Sequence, residues 1–169
     1  MNKRYIGRVF PEILKIQDKV LRSGVADVWL LAMKRGGWKE IERIPFTLLI
    51  DTKRTLVEHT RAVTRMAMSI ARERHDIDLD IVIAGGLVHD VGKLLEYTEK
   101  KSRFVKSASG KRIRHPVSGY ALAREAGLPE EVAHIIATHS TEGEKVKRSP
   151  ESILIHHCDF IDFDIEKSR

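Results

Sequence analysis

A single cysteine, Cys158, stands in this chain of 169 residues. No disulfide framework can form within it, and a reducing, cytoplasmic compartment is the natural expectation. Aromatic residues are scarce at 6%, and few lie near the basic residues. A stacking platform for nucleic acid is therefore not expected. No apolar run approaches the ~18 residues of a membrane span. The longest, around Ile81–Val88, is interrupted by Gly85 and Gly86. The opening residues, MNKRYIGRVFPEILK, lack the apolar stretch of a secretory signal. What remains is an ordinary globular composition, 42% hydrophobic and 32% charged, at a length that suits one domain with its own core.

The net charge of +6 is unevenly spread. Between Thr98 and Arg114 stand seven basic residues, Lys100, Lys101, Arg103, Lys106, Lys111, Arg112 and Arg114, against one acid, Glu99. That stretch alone equals the whole excess. A local cationic strip points to an anionic partner such as a phosphate ester, although a charge run is also the usual signature of a solvated loop.

Helical spacing of apolar residues dominates the chain. Pro11–Leu21 and Val25–Met33 each predict a helix, the second closed by Gly36 and Gly37. Ile44–Asp51, around Pro45, predicts a connector or short extended piece. Thr55–Arg74 predicts a helix with Val63, Met66, Ala67 and Ile70 on one face, and His59 on that face one turn before Val63. Leu79–Leu95 predicts another, whose Ala84, Gly85 and Gly86 admit a close neighbour. FVKS-ASG-KRIR alternates apolar and basic residues, which predicts a small β-hairpin turning at Ser-Gly. Further helices are expected over His115–Ala126, from Pro129 to about His139, and over Pro150–Phe163, the last with Ile153, Leu154, His157 and Phe160 inward. The expected fold class is an all-α bundle with that hairpin inserted.

The chain has eight histidines. A lone histidine on an apolar face is usually a satisfied core residue, but several arriving together point elsewhere. His89-Asp90 follows the apolar run IVIAGGLV. Burying an imidazole beside a carboxylate is unfavourable unless a partner replaces the lost water, and a divalent metal does so. His59 and a carboxylate of the last helix complete such a site. Asp159, in HHCDFIDFD near Phe160, suits the helix phase better than Asp162 or Asp164. Mixed imidazole and carboxylate donors favour Fe, Mn, Co, Ni or Zn over calcium. Lys93 follows Asp90 by three residues and so points toward the same site, unless it snorkels off the helix end. Arg54 and Arg114 flank ligand positions as candidate phosphate contacts. His156, one turn before Asp159, is a candidate substrate or supporting group. Cys158 reads as packing.

The order His59, His89-Asp90, Asp159, with VHDVGK around the dipeptide, resembles the HD superfamily of metal-dependent phosphohydrolases. The resemblance runs from about Thr55 to Phe163. His115 in RIRHPVSGYALA and His139 in IATHS stand where the binuclear subset of that family has two more histidines. It implies one metal held by His59, His89, Asp90 and Asp159, and a second held by Asp90, His115 and His139, with Asp90 bridging. Asp90 and Lys93 would be the catalytic residues. Lys93, Arg54, Arg114 and His156 would contact a small phosphorylated substrate, hydrolysed by a metal-activated water. Residues 55–169 would form the hydrolase core, and residues 1–54 a helical extension of the same domain. A di-iron oxygenase with the same ligands, or a non-catalytic nucleotide-binding module, are the alternatives. No membrane partner is expected, and an oligomer is compatible with the sequence.

Overall fold

The computed structural model describes residues 2–169. In chain order it contains α1 (Lys3–Val9), a 3₁₀ turn (Pro11–Lys15), α2 (Lys19–Gly36), α3 (Leu56–Ala71), α4 (Leu79–Val88), α5 (Lys93–Glu96), β1 (Tyr97–Lys100), β2 (Arg103–Lys106), α6 (His115–Glu125), α7 (Glu130–Thr138), a second 3₁₀ turn (Thr141–Lys145) and α8 (Pro150–Lys167). The fold is thus all-α with one two-stranded antiparallel sheet. Among the described residues, no helix is long and apolar enough to cross a membrane.

Local chemistry sets the helix boundaries. Asp18 accepts from the Val20 and Leu21 amides and starts α2, and Asp78 accepts from those of Asp80 and Ile81 to start α4. Thr55 and Glu58 form a reciprocal capping box on α3. Each cap satisfies amides that have no partner within the helix. Gly37 and Gly127, both in the left-handed region, close α2 and α6.

The centre of the bundle is α4, where Val82 to Val88 are all buried. Helices α2, α3, α7 and α8 pack around it. A Cβ on Gly86 would meet the Thr64 Cα at 3.1 Å, so the glycine lets α3 and α4 approach closely. The first helices share the same core. Ile6, Phe10, Trp29 and Met33 cluster with Ile83, Leu87, Leu122 and Ile136, and the Trp29 indole donates to the Leu87 carbonyl at 3.0 Å.

Several boundaries depart from expectation. Pro11–Lys15 is a 3₁₀ turn, and the long helix starts only at Lys19, because Asp18 offers a cap that divides the apolar run. The helix expected over Leu79–Leu95 is broken. It ends at Val88, and His89 to Gly92 turn the chain before the single turn of α5. A Cβ on Gly92 would lie 2.1 Å from the His115 carbonyl oxygen, so the break brings α6 against this turn. The hairpin exists but turns elsewhere. Tyr97 pairs with Lys106 and Lys100 with Arg103, with Lys101 and Ser102 both at positive φ, as a two-residue turn of type I′ requires. Ser109 and Gly110 lie in a later turn. On α8 the inward residues are Ser152, Leu154, Ile155 and Cys158. Ile153 is 46% exposed, and His157 also faces solvent. Ile70 of α3 is likewise exposed.

Candidate metal centre

Six side chains from five places in the chain converge in the interior. His59 comes from α3, His89 and Asp90 from the turn after α4, His115 from the start of α6, His139 from the end of α7, and Asp159 from α8. The four imidazoles are buried, and Asp90 is 1% exposed. Their donor atoms fall into two groups, His59, His89 and Asp159 in one and Asp90, His115 and His139 in the other, each within 4.8 Å.

Asp90 stands between the groups. Its Oδ2 lies 3.4 Å from His89 Nε2 and 3.5 Å from His59 Nε2. Its Oδ1 lies 3.2 Å from His115 Nε2 and 3.7 Å from His139 Nε2. One carboxylate therefore presents one oxygen to each histidine pair. Asp159 Oδ1 is 3.0 Å from His59 Nε2 and 4.0 Å from His89 Nε2.

What orients the rings is visible at their far nitrogens. Nδ1 of His59 donates to Asp162 at 2.7 Å and Nδ1 of His115 to Glu96 at 3.0 Å. Nδ1 of His89 donates to the Gly86 carbonyl at 2.7 Å and Nδ1 of His139 to the Ile136 carbonyl at 2.8 Å. With the Nδ1 proton assigned by these acceptors, every neutral ring turns an Nε2 lone pair inward. His115 and His139 then face each other through unprotonated nitrogens 3.3 Å apart, beside an Asp90 oxygen. Burial pushes His115 down to about 4, only partly offset by Glu96, so it stays neutral near pH 7. Such a set of lone pairs repels itself unless a cation sits among them. The donor set fits a divalent transition metal, and the carboxylate–imidazole pairs are the support that metal-binding histidines ordinarily have.

At the other group the charges differ. Burial opposes a charged His59, but Asp159 and Asp162 outweigh it and raise its pKa. Burial likewise opposes an ionised Asp159, yet His59 and His89 hold its carboxyl below the usual range. Lys93 is buried, with Nζ 2.6 Å from Asp90 Oδ2 and a second bond to the Phe46 carbonyl. Burial disfavours both charges, but the Lys93 ammonium holds the Asp90 carboxyl well below its ordinary value, and Asp90 in turn raises Lys93.

The centre opens into a cavity of about 280 Å³. Asp90, Lys93, His115 and Asp159 reach it from the interior, and Lys106 and Arg114 add cationic groups. Phe46, Leu48, Leu49, Tyr97, Phe160 and Phe163 supply an apolar lining. Of the basic strip only Lys106 and Arg114 reach this cavity, and both have acidic partners, Glu96 at 3.6 Å and Glu142 at 3.2 Å. Lys100, Lys101, Arg103, Lys111 and Arg112 are exposed.

Two expected substrate contacts lie elsewhere. Arg54 grips Asp162 with two nitrogens, at 2.9 and 2.6 Å. It therefore braces the carboxylate that orients His59, and its outer face lines a different groove along α3. His156 stands behind His139 and donates Nδ1 to the His139 carbonyl at 2.6 Å. In the sequence Asp162 reads only as a rival ligand, and Glu96 does not stand out at all. For Asp162 the available signal is its place one helical turn after Asp159. For Glu96 there is no local signal, because its partner His115 is 19 residues away.

Removing Asp162 tests this support. Asp162→Ala leaves the His59 Nδ1–H and the Arg54 guanidinium without their acceptor. Metal affinity is expected to fall by about 10–100-fold, the usual range for a lost carboxylate behind a ligating histidine. A competitive metal titration measures it, and an unchanged affinity would show that Asp162 only fixes Arg54.

Comparison with known proteins agrees with this geometry. The chain is similar to the dihydroneopterin 2′,3′-cyclic phosphate phosphodiesterase of Methanocaldococcus jannaschii, 28% identical over 116 residues that cover 65% of this chain and 47% of the relative. It is also similar to ribonuclease Y of Pseudothermotoga lettingae, 30% identical over 104 residues, 62% of this chain and 18% of that protein. Ribonuclease Y of Acidothermus cellulolyticus is 32% identical over 106 residues, again 18% of its length. The matched part thus spans about half of the first relative and under a fifth of the other two. No solved structure gives a significant match. The HD domain family model covers residues 56–164, well over half of the chain and all six converging side chains, and by that match this protein belongs to the HD domain family.

Proposed function

We propose that this protein is a metal-dependent phosphohydrolase that cleaves a small phosphodiester of nucleotide type. The observation that carries this reading is the self-repelling set of inward lone pairs around Asp90, open to a cavity with cationic groups. His59, His89, Asp90 and Asp159 would hold one divalent transition-metal ion, and Asp90, His115 and His139 a second. Bound there, such ions supply Lewis-acid charge that polarises a phosphoryl group and eases the ionisation of water.

The chain's own residues do the rest. Asp162, Glu96 and the carbonyls of Gly86 and Ile136 fix the orientation of the four imidazoles through Nδ1, so their Nε2 atoms already face the centre before a substrate arrives. Lys93, fixed by Asp90 and the Phe46 carbonyl, keeps a positive charge beside the cavity. Arg114 and Lys106 attract the phosphate at the rim. Two relatives named for the hydrolysis of phosphate diesters or RNA support the same chemistry.

The test is metal analysis of protein purified without chelator, followed by assay on 2′,3′-cyclic nucleotides and bis(4-nitrophenyl) phosphate. Two equivalents of transition metal and metal-dependent turnover are expected. Tightly bound iron with O2 uptake and no phosphodiesterase turnover would replace this reading with the oxygenase. Metal without either activity would leave a binding module.

A further inference from the structure

The apolar side of the cavity is unlike its floor. Phe46, Leu48 and Leu49 come from the connector between α2 and α3, ahead of the region that the HD family model matches. This connector is pinned at both ends to groups of the centre. At its start the Phe46 carbonyl accepts from Lys93, and the Phe46 ring lies 4.7 Å from the His59 ring. At its end Thr52 donates to Glu166 at 2.6 Å, and Arg54 binds Asp162. Between these anchors Leu48 is half-buried and Leu49 is 69% exposed, although both line the cavity. From α8, Phe160 and Phe163 line the same space, and Phe163 is set edge-on to Phe46 at 6.1 Å.

We propose that Leu48 and Leu49, with Phe160 and Phe163, form a subsite for a planar aromatic group attached to the phosphate ester, and that this connector sets which ester is accepted. The proposal rests on the phosphohydrolase reading. A phosphate alone has no use for an apolar wall, and a bare sugar phosphate would bring hydroxyls that leucine and phenylalanine cannot pair. A nucleobase-like ring presents apolar faces that gain from leaving water against such side chains. Lys93, Arg114 and the metal centre then take the charged end. A cavity of about 280 Å³ has room for one such unit, near the small end of ligand pockets. Phe46 is a positioning residue, since its carbonyl holds Lys93. Leu49, largely exposed, is free to make the contact, and Leu48 packs partly against the core beside it.

The experiment separates recognition of the ring from hydrolysis. Metal-loaded protein is titrated calorimetrically with adenosine 5′-monophosphate and with ribose 5-phosphate, which differ only by the base. The nucleotide is expected to bind at least about tenfold more tightly, the scale of one stacked base. In the Leu48→Ser/Leu49→Ser double variant, with folding checked by circular dichroism, the ratio of the two dissociation constants should fall toward one. Equal affinities in the parent protein, no measurable binding of either compound, or an unchanged ratio in the double variant would overturn the proposal. In parallel, turnover of adenosine 2′,3′-cyclic phosphate is measured. If turnover is absent while the binding ratio holds, the hydrolase reading fails and the aromatic subsite stands. If turnover is present while the two affinities are equal, the hydrolase reading stands and the aromatic subsite fails.

Discussion

Replacing Asp90 with alanine is expected to abolish turnover and to strip the protein of bound transition metal. Among the described residues, Asp90 is the carboxylate that lies within 4 Å of both histidine pairs. Its two oxygens stand 3.2–3.7 Å from four Nε2 atoms, so its loss removes a donor from each group at once. The alanine variant also leaves the Lys93 ammonium buried without its counter-charge, which is strongly destabilising. Asp90→Asn keeps the shape and one acceptor for Lys93, and so isolates the charge. For both variants kcat should fall by about 10³-fold or more, the upper range for removing a preorganised group from a centre of this kind. Metal content should drop for both ions together. Elemental analysis and a near-UV spectrum of each folded variant provide the check. An Asp90→Asn protein with full metal content and normal kcat would remove Asp90 from the centre.

How much of the molecule is legible in its sequence depends on the range of each interaction. Of the six converging residues, His59, His89, Asp90 and Asp159 are legible from the apolar runs expected around them, whereas His115 and His139 are legible only because their order resembles a known pattern. Thr55 and Glu58 announce the start of α3 because a capping box is written within four residues. The break after Val88 is not legible. The apolar run continues through Val91, Leu94 and Leu95, and the turn follows from α6 reaching Gly92, a contact made 23 residues further on. The hairpin turn is hidden for a related reason. Ser109-Gly110 looks like the better turn, but Gly110 is needed where the chain passes the Glu96 carbonyl, 2.1 Å from where a Cβ would stand. Arg54 reads as a phosphate contact because a cation beside a ligand helix has that use. Its partner, Asp162, lies 108 residues away, and only the fold brings the two together. Likewise, nothing in Phe46–Leu49 marks it as cavity wall.

Lys93 gives the second large effect, and the structure changes its form. If Lys93 only contacted the substrate, as its place after Asp90 suggests, Lys93→Ala would spare metal content and reduce kcat. In the fold Lys93 is only 8% exposed and its ammonium is the nearest cation to Asp90, at 2.6 Å. Without metal, Lys93→Ala takes the nearest counter-charge from the buried Asp90 carboxylate, and the protein should lose about 3–5 kcal/mol of stability. Metal ions held by Asp90 as proposed would carry positive charge to the same oxygens, so loading should recover most of that loss. The difference in Tm between metal-free and metal-loaded protein is therefore expected to be larger in the variant than in the parent. Turnover of the loaded variant should still fall, by about 10²–10³-fold, because the charge held between Asp90 and the Phe46 carbonyl is no longer there to meet the phosphoryl oxygens. Lys93→Met, which keeps the length of the stem without its charge, should behave as the alanine variant does in kcat with less loss of packing. Thermal melts with and without metal, beside single-turnover rates, separate the two roles. A Lys93→Ala protein whose melts match the parent in both states would place the ammonium outside the Asp90 pair. A normal kcat in the loaded variant would leave Lys93 as a stabilising partner of the metal-free centre and nothing more.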